Sequence, residues 1–483
     1  MMNPSLPMAE PWQSENIPAV QSISSPLRVD LLHKIILWMV GTYLILNVGF
    51  EMVRLPPVGP GVPVGELVLG LCLCLMSTRV LLPLMAREVW VLPILVWWGL
   101  SLIRALVDAK SAGIWALRDA SQAIESLYLI VGFWFASNEA NLRYFFRWIR
   151  RLLILGAGYG LLYPLSDRLQ SYSPQVSGIG TGATPLLFSV ADSPAIMLWC
   201  AAWLLIDRPR GARLARDVLA GVLIAAAVAF GQSRSTYLEV LMLGLVLFLL
   251  KRKAAAKWGF TLVLGGLIIW GISISGLNLK GREGRQISLE FVAHHFESIS
   301  GTGGGELQEA AAAGVPLRIG WWKHIFSQLE SSPGKLVFGL GYGMPLTTFV
   351  GRTAVTREPH NSYMSVIGRL GLAGILMWAL MQISLYRALW RSLRLCRRMQ
   401  WTVDQVNLLL LLMFGMITLV QAVGEAAMEV PFYAIPYYFF FGVTLRYGKH
   451  LRMAEERELR ALQEQHERED ENFNDGFADA EPA

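Results

Sequence analysis

Apolar residues gather in long, almost unbroken runs along this chain, separated by short polar connections and by one long hydrophilic stretch at 276–360. A helix crossing a bilayer needs about 20 largely apolar residues, since each residue advances about 1.5 Å through about 30 Å of hydrocarbon. About twelve runs meet that requirement, at 35–53, 64–82, 89–107, 121–137, 149–165, 184–206, 217–232, 236–250, 257–275, 361–386, 405–424 and 430–447. The pattern predicts an all-α polytopic membrane protein with about 12 transmembrane helices and one large loop carrying short helices.

Composition agrees. The chain is 54% hydrophobic and 16% charged, with a mean hydropathy of +0.44, which leaves too little polar surface to cover a soluble globule of 483 residues. Charge then orients the spans, because short cytoplasmic loops carry the Lys and Arg excess. Alternate connections are basic: Arg79 and Arg87; Arg143, Arg147, Arg150 and Arg151; Arg208, Arg210, Arg213 and Arg216; Lys251, Arg252, Lys253 and Lys257; Arg387, Arg391, Arg394, Arg397 and Arg398. Both termini are therefore expected in the cytoplasm and the 276–360 loop on the outer side, which is the periplasm if the source is a double-membrane bacterium.

The organisation that follows is a disordered arm over 1–30, spans 1–9 over 31–275, the external loop at 276–360, spans 10–12 over 361–447, and a cytoplasmic tail over 448–483. The arm is rich in Pro and Ser and lacks the apolar core of a cleavable signal peptide. The tail opens with the helix-compatible AEERELRALQEQHERED and ends acidic and polar, without the seam of a coiled coil. Both arms are expected to be dispensable for chemistry. Cys72, Cys74, Cys200 and Cys396 lie in spans or on the cytoplasmic side, so a disulfide framework or thiol-metal site is not expected. Neither an internal repeat nor a nucleic-acid motif is present.

Within the loop, GTGGG at 301–305 and EAAAAG at 309–314 lack the strand and Lys-Ser/Thr context of a nucleotide loop and read as a hinge. RIGWWKHIFSQLE follows, with Ile319, Trp322, Phe326 and Leu329 at helical spacing, as in an amphipathic helix at a membrane interface. Trp321 and Trp322 suit headgroup depth as anchors. Arg318, at that helix's start, offers planar forked donors matched to phosphate oxygens. GLGYG at 339–343 is a tight turn. Arg234 stands in the short connection GQSRST on the outer side, where arginines are scarce. Such a residue either faces a functional cavity or snorkels to headgroups. His360 and Asn361 open a long apolar segment directly after the loop, where the histidine is either a proton acceptor at the membrane surface or a helix cap.

Taken together, Ser233-Arg234 between two spans, Arg318-x-x-x-Trp322, the GxGYG turn and HNxY followed by Gly371 and Gly374 resemble the O-antigen ligase and Wzy-type polysaccharide polymerase superfamily. The likeness is densest over 217–385; the first 200 residues share only topology. Members commonly carry Glu nine residues after the histidine, where this chain has Arg369, a departure that leaves the particular branch and acceptor open.

The resemblance implies a GT-C-like glycosyltransferase of the bacterial inner membrane, with no metal and no cofactor, working on the periplasmic side. Its donor would be a saccharide on polyprenyl pyrophosphate, and its acceptor another lipid-linked repeat in a polymerase or a lipid A-core sugar in a ligase. His360 would take the proton of the attacking hydroxyl with inversion at the anomeric carbon. Arg234 and Arg318, with Arg357 in reserve, would stabilise the departing pyrophosphate. Asn361 and Tyr363 would orient the histidine or a sugar, or else cap and pack, and Glu425 is a further possible sugar ligand. Partners would include membrane lipids and a chain-length regulator or export proteins. Two other classes fit the same pattern: a transporter or flippase of lipid-linked sugar, which broken helices would favour, and a non-catalytic export scaffold. The Arg369 departure leans the enzyme reading towards polymerisation of an exopolysaccharide.

Overall fold

The computed structural model describes residues 26–55, 61–76, 78–87, 90–177, 183–190, 193–207, 213–276, 279, 281, 287, 314–347 and 357–478. The protein is mostly helical. In chain order the principal helices are α1 (Pro26–Leu46), α2 (Val64–Leu75), α3 (Thr78–Ala86), α4 (Leu92–Ala112), α5 (Ile114–Asp119), α6 (Ser121–Ser126), α7 (Tyr128–Phe135) and α8 (Glu139–Gly160). They continue as α9 (Ser193–Ile206), α10 (Arg213–Gly231), α11 (Arg234–Leu250), α12 (Arg252–Ile274), α13 (Gly314–Glu330), α14 (Pro333–Phe338), α15 (Ser362–Arg398), α16 (Thr402–Gly424) and α17 (Pro431–Ala478). Two short antiparallel hairpins, Arg54–Leu55 with Val62–Pro63 and Gln175–Ser177 with Ala183–Pro185, are the strands among the described residues.

Every apolar run carries helix, and five helices among the described residues are long and apolar enough to cross a membrane: α4, α10, α12, α15 and α16. Leu31–Leu46, α2 and α9 are apolar but shorter. The run at 64–82 is broken after Met76, which is extended (φ −88°, ψ 139°). The run at 121–137 is divided into α6 and α7 at Leu127, after a preceding break at Ala120. Apolar content alone does not register these turns, because each residue there is as apolar as its helical neighbours. Helix α1 starts at Pro26, inside the expected arm, a position where proline's missing N–H costs nothing. At the other end, α17 continues through the expected tail, and Arg398 pairs with Glu455. Residues 1–25 and about half of 276–360, GTGGG included, lie outside the described residues.

The tightest crossing brings α7 against α17. A Cβ on Gly132 would overlap the Phe439 carbonyl, and one on Gly442 would overlap the Leu129 carbonyl. Small residues are what bring backbones this close where lipid supplies no hydrophobic drive between helices. Around the crossing lie buried aromatics: Phe145 meets Phe439 and Phe440 edge-on, and Trp199 lies against Phe414. Their polar atoms are matched, with Trp199 Nε1 donating to Leu410 O at 2.8 Å and Trp378 Nε1 to Tyr438 Oη at 3.3 Å. By contrast α12 turns Phe260, Val263, Leu267 and Trp270 outward, as a lipid-facing helix does.

Gly132→Ala should therefore destabilise the protein by roughly 1–3 kcal/mol, the usual range for overpacking. A thermal melt in detergent should register the loss, whereas alanine at Gly99, where a Cβ meets nothing, should leave the midpoint within error.

Candidate functional site

The site is assembled where helix ends meet. Asn361 caps α15, its Oδ1 accepting from Met364 N at 2.9 Å, while its Nδ2 donates to Val423 O at 2.9 Å on the last turn of α16. Tyr363 Oη donates to Leu419 O at 3.2 Å, and Ser362 Oγ accepts from Met428 N at 3.0 Å. These bonds fasten the start of α15 to the end of α16. His360, one residue before the cap, is held with φ 48°. That left-handed region is sparsely occupied by side-chain-bearing residues and costs of order 1 kcal/mol or more unless the surroundings enforce it.

The enforced turn brings His360 Nδ1 to 3.2 Å from Glu425 Oε2. Glu425 follows α16 in extended conformation, and its other oxygen is 3.5 Å from Arg318 Nη2. Trp321, one turn along α13 from Arg318, lays its ring beside the imidazole with centroids 5.8 Å apart. Arg234 begins α11, whose first turn adjoins Gly424 through Ser235 and is capped by Ser233. Burial and then the positive charge of Arg318 lower the Arg234 pKa, which puts the two guanidinium groups within electrostatic reach of each other. Four helices thus deliver an imidazole, a carboxylate and two guanidiniums to one locus. The His360 side chain remains 40% exposed, so a reactant can approach it.

Of the seven residues expected from sequence, Arg234, Arg318, His360 and Glu425 converge. Asn361 and Tyr363 act as the fasteners just described. Arg357 is engaged elsewhere: it bonds Asp119 at 2.9 and 3.3 Å, donates to Gly343 O at 2.8 Å and stacks over Trp115 at 4.5 Å. Asp119 is the residue that sequence reasoning missed. Fully buried, it also takes Arg369 at 2.8 Å and the N–H of Gly343 at 3.0 Å. Arg369 donates further to the carbonyls of Gly341 and Met344. The arginine that departs from the family pattern therefore serves a buried ion cluster rather than an open surface. An aspartate beside Arg118 in a short polar patch gave no periodic signal that would have singled it out.

The GLGYG turn belongs to the same cluster. Gly339, Gly341 and Gly343 all have φ between 77° and 92°, which only glycine adopts readily. The turn lies against a kink in α15 at Gly371 (φ 66°, ψ −160°). The kink frees the carbonyls of Gly368 and Arg369, and these accept from Leu340 N at 2.8 Å and Gly341 N at 3.0 Å. Asp108, itself bonded to Arg104, accepts from Tyr342 N at 2.7 Å. A small cavity of about 10 Å³ beside the cluster is lined in part by polar groups of Asp119, Gln122, Ser365, Arg369 and Glu429. Among the described residues no group of His, Cys, Asp and Glu is arranged to hold a metal ion.

No protein-family model matches the chain, and a search of curated proteins returns no match either.

Glu429, in the connection between α16 and α17, is pushed up to about 8, first by burial and next by the Glu358 carboxylate. A carboxyl raised in the folded state binds its proton more tightly there than in the unfolded chain, so its contribution is complete below about pH 4.5 and is lost as pH rises to about 8. Glu429→Gln should flatten the decline of thermal stability across that window, removing at most about 1.4 kcal/mol per pH unit. Melts from pH 5 to 9 on both proteins check it; parallel curves would exclude Glu429 as the titrating group.

Proposed function

We propose that the chain is an inner-membrane glycosyltransferase of the O-antigen ligase and polymerase type. On this reading it transfers a polyprenyl-pyrophosphate-linked saccharide to an acceptor sugar on the periplasmic side. The observation that carries the proposal is the His360–Glu425–Arg318 chain, with Arg234 close by, at the end of four helices.

With Nδ1 directed at Glu425, the imidazole keeps Nε2 for an incoming hydroxyl, and the carboxylate stabilises the imidazolium that forms. The acceptor oxygen attacks the anomeric carbon as the bond to the pyrophosphate oxygen breaks, which inverts the configuration; the hydroxyl proton passes to His360. Negative charge builds on the departing polyprenyl pyrophosphate. Two guanidiniums already in position stabilise it without reorganising, most effectively near lipid, where water is scarce. Asp119, Arg357 and Arg369 support the loop that carries His360 and take no part in the chemistry. Since Arg369 has a structural use, its departure from the family pattern does not itself argue for a different acceptor. Without that lean, polymerisation of an exopolysaccharide or O-antigen and ligation to lipid A-core stand level as the acceptor reactions of the enzyme reading.

One observation favours a second class. Discontinuous helices line substrate sites in many transporters, and α15 is discontinuous at Gly371. Here, however, the freed carbonyls are taken by Leu340 and Gly341 rather than left facing a path. The enzyme reading explains the converged side chains as well as the break.

Purified protein should transfer lipid-linked saccharide with no ATP, ion gradient or divalent metal, and His360→Ala should lose about 10²- to 10⁴-fold in rate. Arg234→Lys and Arg318→Lys should each be impaired, because an ammonium cannot reproduce a forked contact. Near-normal transfer by a well-folded His360→Ala protein would sink the mechanism. Alkaline phosphatase inserted within 276–360 should be active and a fusion after Lys449 inactive; the reverse pattern would reject the orientation.

A further inference from the structure

At the far end of α16 from Glu425, Tyr447 of α17 bonds Asp404 and accepts from Asn407 at 3.2 Å. With 1.5 Å per residue, Asp404 and Glu425 are about 30 Å apart, so this level lies across the bundle from His360. Arg446 sits there, 5% exposed, with its Nε and Nη1 hydrogens meeting no acceptor. Its contact is the face of Phe133, 5.6 Å from the ring centroid. A buried guanidinium with unmatched donors is costly, and such a group calls for an explanation in function or in a bound anion.

The surroundings are cationic. Arg446, His450 and Arg457 recur at helical spacing along one face of α17, with Lys449 beside them. His450 is committed elsewhere: Nε2 bonds Ala136 O at 3.0 Å and Nδ1 lies 3.9 Å from Glu139. Arg87 follows α3, which packs on α7, and is exposed. Burial, then Arg446 and then Arg87 lower the pKa of Lys449, so the three cations lie near one another. Among the described residues, Glu139 faces His450, Glu455 pairs with Arg398 and Asp404 takes the Tyr447 hydroxyl. Exposed Trp90 and Leu92 come three and five residues after Arg87, apolar surface of the kind found where aromatic residues meet headgroups.

We propose that Arg446, with Lys449 and Arg87, binds the phosphate of an anionic lipid headgroup at the end of the bundle opposite His360. Basic recesses between membrane helices are suited to this chemistry: the phosphate oxygens supply the acceptors that Arg446 lacks, and the acyl chains lie along the exposed apolar surface. The inference is independent of the transfer reaction.

The test uses the full chain purified in a neutral detergent and titrated with phosphatidylglycerol, with phosphatidylcholine, or with glycerol 3-phosphate and inorganic phosphate. Binding is read from the concentration dependence of the melting temperature and from lipid adducts in native mass spectrometry. Phosphatidylglycerol should raise the melting temperature saturably, and phosphatidylcholine should not. In Arg446→Met the half-saturating concentration should rise at least tenfold. The Arg87→Gln/Lys449→Gln variant, changed at positions nearer the surface, should weaken binding in the same direction and serves should Arg446→Met fold poorly. An unchanged titration in either variant, or an equal response to phosphatidylcholine, would overturn the site. Saturation by glycerol 3-phosphate or inorganic phosphate at the concentration that suffices for phosphatidylglycerol would assign it to a soluble anion and overturn the lipid.

Discussion

Among apolar helices, a backbone N–H or carbonyl that leaves its own helix must find another protein partner, because hydrocarbon offers none. The kink of α15 at Gly371 releases two carbonyls, and that obligation organises the region around them. Leu340 and Gly341 supply the N–H groups, which draws the GLGYG turn against α15. The turn then exposes its own donors at Tyr342 and Gly343, which Asp108 and Asp119 accept. Asp119, fully buried, needs positive charge, and Arg357 and Arg369 provide it. Arg357 is three residues before His360. The position of the histidine thus depends, through a sequence of satisfied polar groups, on a break in a helix eleven residues further along the chain.

Buried ion clusters are poor sources of net stability, since desolvation offsets most of the attraction. Their effect here is geometric. Removing Asp119 would take from two guanidiniums the carboxylate that both of them bond, and loss of one partner of a buried ion pair is strongly destabilising. The cluster therefore tolerates one arrangement of the 339–346 and 357–360 segments and excludes others. The helix fasteners at Asn361, Ser362 and Tyr363 act from the other side, against α16. His360 lies between the two sets, with φ 48°.

Legibility in the sequence followed the kind of signal each feature produces. Apolar runs announced the helices, because their signal sums over about 20 residues. Breaks at Met76, Ala120 and Leu127 did not show, since a change of backbone direction needs no change in apolarity. His360, Arg234 and Arg318 were visible because each interrupts or borders an apolar run with a group that apolar surroundings disfavour. Glu425 was noticed at a helix end, yet its place between His360 and Arg318 required tertiary structure, for the three are separated by 42 to 107 positions. Asp119 and Arg446 were missed for opposite reasons. Asp119 lies beside Arg118 in a short polar patch that reads as surface, and Arg446 stands one residue before the end of the 430–447 run, where a basic residue reads as the ordinary end of a span.

Polar groups at the two ends of the bundle illustrate how burial changes the meaning of one residue type. Arg369 and Arg446 are both nearly inaccessible. Arg369 meets a carboxylate and two carbonyls, so its charge is balanced within the fold and it acts as a fixed strut. Arg446 meets an aromatic face and has two donor atoms without acceptors among the described residues, which is why the lipid phosphate proposed above is assigned to it. Arg318 and Arg234 stand between these cases, partly exposed at helix ends, with Glu425 paired to Arg318. On the reaction proposed above, that partial exposure is what the two guanidiniums require, since complete burial would leave a pyrophosphate no access to them. The graded burial of these four arginines, more than their number, is what the proposal uses to separate structural charge from charge open to a ligand.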